Sequence, residues 1–367
     1  MKVLALASYP IEAAATRYRL AQFVAPLAER GITLTVRPFI NSQMFAALYQ
    51  PRRHMPRTIL GLLKSATHRL GDVWRAQDAD VLLVQREAMI FGPPLIEWLA
   101  TRALRRPMVL DLDDATYIPY VSPTYGRLAR ALKWFGKTDD LIRWAKIVTC
   151  GNRSIADYVA AQGGRAVIIP TVVDTEQFRP VRQDSQNDIP VVGWIGSHST
   201  YPFLEAILPT LQQLARTQTF RLKVVGSGRK KINVPGLNIE NLEWSLEREI
   251  NDFQSLDIGL YPIVPGGTTP GAWTAGKSGF KAVQYMAVGI PYVVTPIGAC
   301  AEMGEPGVTH IPATSHDQWY EALARLLSDA KLRKSMGEAG RRYALQHYTV
   351  QAQAEKLAQV LREALAA

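Results

Sequence analysis

An alternation of short, continuously apolar strands with helical segments runs through this chain, and it runs twice. The first series has strands at residues 2–8, Ile32–Val36, Asp80–Gln85, the run opening at Pro107, Lys146–Cys150 and Arg165–Pro170. The second restarts at Pro190 and continues at Phe220, at Leu256–Pro262 and at Tyr292–Thr295. Apolar runs without alternation are what a parallel sheet covered on both faces requires, and strands separated by helices are the mark of βαβ winding. The polar stretch Arg182–Asp188 between the series reads as a linker. The expected organisation is α/β, with two Rossmann-like doubly wound domains at 1–180 and 189–348 and a final helix at 349–367. A length of 367 residues suits two such cores.

Composition removes other classes. With 47% apolar and 20% charged residues, disorder is not the expectation. No apolar run reaches the roughly 18 residues of a membrane span, and the opening residues are too short for a secretory signal. Cys150 and Cys300 lie far apart without metal-like neighbours, so neither a disulfide framework nor a cysteine metal site is expected, and a reducing cytoplasm fits. The net charge of +10 suits nucleic acid, an anionic membrane or an anionic substrate. Without zinc-finger spacing, a helix-turn-helix cue or an aromatic-basic sheet motif, nucleic acid is not the expected partner.

In a doubly wound sheet ligands collect at the carboxyl ends of the strands, so the loops there hold the candidates. Arg17 and Arg19 open the first helix, as exposed arginines or as contacts to an anionic ligand. Asp111-Leu112-Asp113-Asp114 brings three carboxylates to one strand end. Such a cluster is a divalent-metal site, a set of groups that bind hydroxyls or accept a proton, or a set of caps for the next turn. Gly196-Ser197-His198 follows a strand and precedes a helix, where a glycine lets backbone approach a phosphate closely. Gly226-Ser227-Gly228 is a second glycine turn. The breaker-rich loop Ile263–Ala275 carries Trp273, to stack on a ligand or to anchor the loop.

The stretch Gly276–Thr295 reads as loop, helix, glycine turn and buried strand. Lys277 and Lys281 stand four apart where the helix is expected to begin, which would put both ammonium groups on one face. Cations at the positive end of a helix are unfavourable unless an anion sits between them, and a diphosphate is the natural candidate. Two solvated surface lysines are the alternative.

Residues 57–75 form a second unusual stretch. Ile59, Leu63, Ala66, Leu70 and Trp74 recur at helical spacing, with Arg57, Lys64, His68 and Arg75 on roughly the other side. This is a basic amphipathic helix for an anionic membrane surface, or a domain helix with a solvated basic face.

Lys-x-x-x-Lys-x-x-Gln-Tyr-Met-Ala-x-Gly-x-Pro, beginning at Lys277, resembles the donor-binding signature of one branch of the retaining GT-B glycosyltransferases of the family-4 type. Asp111–Ala115, Val173-Asp174-Thr175 with Phe178 and Pro180, Gly193–Ser197 and Gly298–Glu302 are similar to further motifs of that group. The resemblance implies GT-B domains facing across a cleft, the last helix returning to the first domain, and no metal or other cofactor. It implies transfer of a sugar, with retention, from a nucleotide-diphosphate sugar to a glycan or lipid-linked acceptor, in the cytoplasm or on the inner face of the cell membrane. Lys277 and Lys281 would neutralise the departing diphosphate. Asp113 and Asp114 would face the acceptor, with Arg17 and Arg19 on the same side. Gly196, Ser197, His198, Gly226, Trp273, Gln284 and Glu302 would line the donor site. The wider family has two glutamates where this chain has Gly276 and Gln284, which leaves the sugar open. A sugar-nucleotide epimerase and a non-catalytic nucleotide-sugar-binding protein are the alternatives.

Overall fold

The computed structural model describes residues 1–48, 55–119, 132–181, 189–264 and 271–367, without the side chains of residues 48 and 55–57. The linker at 182–188, part of the loop at 263–275 and the Arg57 side chain therefore lie outside the described residues. The chain forms two compact units. One comprises Met1–Thr171, Gly266–Ser278 and Val350–Ala367, the other Val172–Pro265 and Gly279–Thr349.

The first unit holds a six-stranded sheet of β1 (Lys2–Ala7), β2 (Thr33–Pro38), β3 (Val81–Gln85), β4 (Met108–Leu112), β5 (Ile147–Cys150) and β6 (Ala166–Ile168). The order is β2-β1-β3-β4-β5-β6, and every pairing is parallel. β3, β4 and β5 are buried along their whole length, as their apolar sequences require. Winding reverses direction between β1 and β3, which creates a crevice at their carboxyl ends. The final helix, Val350–Ala366, packs within this unit and is tied by an Arg30–Glu355 ion pair of 2.8 Å.

The second unit holds β7 (Val191–Ile195), β8 (Arg221–Val225), β9 (Asn238–Leu242), β10 (Ile258–Tyr261), β11 (Tyr292–Val294) and β12 (Ile311–Pro312). Their order is β12-β11-β10-β7-β8-β9, again parallel throughout, with the reversal between β7 and β10. The core between this sheet and the helices Tyr201–Leu214 and His316–Ser328 includes Leu204, Leu211, Leu222, Leu260, Leu323 and Leu326. Ser315 and Gln318 open the second of those helices with a capping box.

Candidate functional site

In the second unit the loop after β7 is Gly196-Ser197-His198, which lies at the point where the winding reverses. Ser197 N–H donates to Thr200 Oγ1 (3.1 Å), and the Thr200 and Tyr201 amides return to the Ser197 carbonyl (2.9 and 3.0 Å). This bonding turns the loop tightly into the helix Tyr201–Leu214. Gly196 is obligatory, because a Cβ there would run into the Trp194 ring and come within 2.9 Å of Thr200 Oγ1. Gly226 follows β8 with φ +80°, and a Cβ there would meet the Gly196 carbonyl oxygen. The two glycine turns therefore share one strand edge, with backbone against backbone. Gly228 brings His198 to the same place, since a Cβ on Gly228 would lie 2.6 Å from that of His198.

On the same edge the helix Phe280–Ala287 begins with Gly279, whose φ of +67° admits no ordinary side chain without strain. The Tyr285 hydroxyl fastens this helix to the sheet by donating to the carbonyls of Leu260 (3.0 Å) and Gly193 (3.4 Å). Lys281 therefore stands in the first helical turn, where backbone N–H groups lack intrahelical partners. Its ammonium donates to Gln284 Oε1 at 3.0 Å and lies 5.1 Å from the centre of the Phe253 ring. Gln284 is completely buried, and its Nε2 has no hydrogen-bond partner among the described residues. Its amide oxygen is thereby held against the Lys281 ammonium inside the second unit. Glu302 is exposed, just beyond the short helix Gly298–Ala301.

Lys277 departs from the expected arrangement. The helix starts three residues after it, and the left-handed Gly279 intervenes, so the two lysines do not share a helix face. Lys277 belongs with the first unit. Its ammonium bonds to Asp114 Oδ2 at 3.2 Å and sits 3.3 Å from the centre of the Trp273 ring. Burial lowers the Lys277 pKa, and Asp114 restores only part of the loss. Trp273 thus carries Lys277 on a ring face. Asn152, which also caps the helix Arg153–Ala161, donates to the carbonyls of Lys277 (2.9 Å) and Ala275 (3.4 Å). Gly276 is buried against Ala115. A Cβ on it would come within 3.1 Å of the Ala115 amide nitrogen and closer still to the Ala115 methyl, so no carboxylate can occupy this position.

The three carboxylates at the end of β4, Asp111 within the strand and Asp113 and Asp114 beyond it, part company. Asp111 is buried and receives the Arg19 guanidinium on both oxygens, with Thr149 donating to Oδ1 at 2.6 Å. Arg19 itself is 3% exposed and also donates to the Ile169 carbonyl at 2.6 Å. Its expected place beside an acceptor is thereby corrected, because its donors are used inside the unit. Burial opposes the Arg19 charge, but Asp111 outweighs it and raises the pKa. Asp113 takes a forked pair from Arg86 at 2.6 and 2.7 Å. Burial pushes its carboxyl up, yet Arg86 prevails and holds it below the ordinary value. Asp114 faces Lys277. Three carboxylates answered by three different cations do not converge as ligands would, and among the described residues no group of three or more His, Cys, Asp or Glu could hold a metal ion. Arg17 remains at the surface side of its helix, with Nη1 on the carbonyls of Ile11 (2.9 Å) and Glu12 (3.1 Å).

A cavity of about 490 Å³ in the first unit is lined by Tyr117, Pro119, Ser154, Tyr158, Ala272 and Ala275. Tyr117 and Tyr158 stack face to face at 3.7 Å, and Asp139 accepts from the Tyr158 hydroxyl. Tyr117 follows Asp114 by three residues, and Ala275 precedes Lys277 by two. The aromatic pair, Arg86 and Asn152 carry no motif of their own, so sequence reasoning did not single them out. Arg86 has one trace, a φ of +61° forced on a non-glycine residue at the end of β3.

Residues 189–329 match the family described as glycosyl transferases group 1. No curated protein matches the chain. Among solved structures the chain is similar to sucrose-phosphate synthase from Thermosynechococcus elongatus, at 14% identity and a TM-score of 0.68 over 100% of both chains. It is similar to Anabaena Alr3699/HepE in complex with UDP-glucose, at 16% identity and a TM-score of 0.69 over 99% of this chain and 100% of that one. It is also similar to WaaG, a glycosyltransferase involved in lipopolysaccharide biosynthesis, at 14% identity and a TM-score of 0.61 over 98% and 99% of the two chains. These likenesses give the fold as GT-B.

Proposed function

We propose that this chain of GT-B fold is a glycosyltransferase, a retaining enzyme of the family-4 type. In this reading it moves a sugar from a nucleotide-diphosphate sugar to a glycan or lipid-linked acceptor, in cell-surface polysaccharide or glycolipid synthesis at the cytoplasmic face of the membrane. The observation that carries the reading is the shared sheet edge of the second unit. Two glycine turns and the helix start bearing Lys281 lie there together, in the segment that matches the glycosyltransferase family.

Breaking the anomeric C–O bond leaves negative charge on the diphosphate. Lys281 and the helix-start N–H groups are set to receive it, and Lys277, four residues away in the chain, supplies the second cation. Fixed cations and amides aimed at a developing charge are a large catalytic term. A Lys277 held in a site that disfavours its charge gains more from an arriving anion than a solvated lysine would. Gly196, Ser197, His198 and Gly226 are assigned to the phosphates and the nucleoside, and Glu302 to the sugar. HepE, which binds UDP-glucose, makes a uridine nucleotide the first donor to test. The acceptor is assigned to the cavity that Tyr117 and Tyr158 help to line. Asp114 is the group closest in sequence to accept a hydroxyl proton.

A thermal-shift panel of UDP-, GDP-, dTDP- and CMP-sugars tests the donor assignment, because a ligand of the native state raises apparent stability. One nucleotide class should raise the transition, and its turnover should need an acceptor. No shift with any of them removes the transferase reading, and donor breakdown to a rearranged sugar nucleotide without acceptor would indicate an epimerase.

A further inference from the structure

A helix on the surface of a folded unit normally buries its apolar stripe. The helix Met55–Arg75 does the reverse. Its inward face carries Thr58, Arg69 and Asp72, all buried. Arg69 donates to the carbonyls of Ala7 (2.8 Å) and Arg37 (3.1 Å) and to Asp72 Oδ2 (3.1 Å). The stripe Ile59, Leu63, Leu70 and Trp74 is exposed, with Trp74 at 73%. Helical spacing puts exposed Lys64, His68 and Arg75 on the adjoining strip. The one acid of this helix, Asp72, points inward and is bonded to Arg37, Arg69 and Arg75. The short helix Leu95–Trp98 packs against it and follows the same rule. Glu97 is buried and accepts from the Ala88 amide at 2.7 Å, while Trp98 and, just beyond, Arg102 and Arg105 are exposed. Asp72 and Glu97 turn inward, Lys64, His68 and Arg75 stand exposed, and an open apolar stripe ending in Trp74 runs beside them, with exposed Trp98 on the helix packed against it.

We propose that this face seats itself in the headgroup and acyl boundary of an anionic bilayer, with Leu63, Leu70 and Trp74 entering the apolar layer and Trp98 beside them. Tryptophan favours that boundary, and lysine and arginine along the polar edge meet anionic headgroups. Charge decides against a second copy of the chain as the occupant. Two copies apposed on this face would bring cation against cation, in a protein of net charge +10. Among the described residues no helix is long and apolar enough to cross a membrane, so contact at one surface is the form of attachment these helices offer. The inference concerns attachment alone and stands independently of the donor, the acceptor and the reaction.

The test is flotation of the full chain, without donor or acceptor, on vesicles of phosphatidylglycerol with phosphatidylcholine and on vesicles of phosphatidylcholine alone. Binding should need the anionic lipid. A Leu63→Ser/Trp74→Ser variant should bind at least about tenfold more weakly, and Trp98→Ser should weaken binding to a smaller degree. These side chains are exposed, so circular dichroism and the thermal transition should match the parent. Failure of the parent to float with the anionic vesicles overturns the proposal. So does unchanged binding by the double variant, which would mean adsorption through charge elsewhere. A dimer in sedimentation that Trp74→Ser dissociates would give the face to a second copy and overturn it too.

Discussion

Gly276→Ala is the substitution whose consequence the structure states most sharply. The new methyl would meet the buried Ala115 methyl well inside van der Waals contact and stand 3.1 Å from the Ala115 amide nitrogen. Neither is the far end of a flexible side chain, so relief requires backbone movement. Overpacking of this kind costs about 1–3 kcal/mol. In a unit of roughly 200 residues each kcal/mol lowers the transition by about 2–4 °C, so a fall of about 2–12 °C is expected. The movement would act on function as well, because Gly276 lies between Ala275 and Lys277, whose carbonyls bind Asn152, and beside the ammonium that meets Asp114. Thermal unfolding of Gly276→Ala, Ala115→Gly and the double variant, with turnover of the donor found in the panel, forms the assay. The double variant should recover part of both losses, with a coupling of about 1 kcal/mol or more. A Gly276→Ala protein as stable and as active as the parent would refute the close packing of 271–278 on the acidic loop.

Two further expectations follow from buried charge. Arg19→Met leaves Asp111 buried without its cation and should cost about 3–5 kcal/mol in urea denaturation, while Arg19→Met/Asp111→Leu should recover much of it. A stable Arg19→Met protein with a raised acceptor KM would return Arg19 to the acceptor side. Burial holds His310, stacked on Tyr292 at 5.1 Å, down to about 4 from an ordinary 6.5. The unfolded chain therefore takes up this proton first, and stability is full above about pH 6.5 and falls by about 3 kcal/mol as pH drops toward 4. His310→Gln should flatten that part of a stability-against-pH curve, and an unchanged slope would contradict the assignment.

The sheet cores were legible because β3, β4, β5, β7 and β11 are predominantly apolar runs separated by helical segments, the pattern of a covered parallel sheet. β9 escaped notice because Asn238–Leu242 is a polar, partly exposed edge strand, and β12 because two residues carry no pattern. The first helical segment is broken into short pieces around Ala21–Phe23. At the site, glycines were informative wherever backbone meets backbone, as at Gly196 and Gly226. Spacing misled at Lys277, because four residues imply one face only inside a helix, and Gly279 keeps Lys277 outside it. The pairing of Asp113 with Arg86 joins residues 27 apart, and a sequence holds no local record of such a fork. For residues 55–75 the amphipathic pattern was correct in period, but period does not say which face a fold covers.

The central claim is that Lys277 and Lys281 receive the charge of the donor diphosphate. Calorimetric titration of UDP-glucose, or of whichever sugar nucleotide the panel selects, into the parent and into Lys277→Ala/Lys281→Ala tests it directly. Two charge-assisted hydrogen bonds at about 1.5 kcal/mol or more each predict affinity reduced about a hundredfold or more, in a protein that still unfolds cooperatively. Affinity equal to that of the parent in the folded double variant would contradict the account.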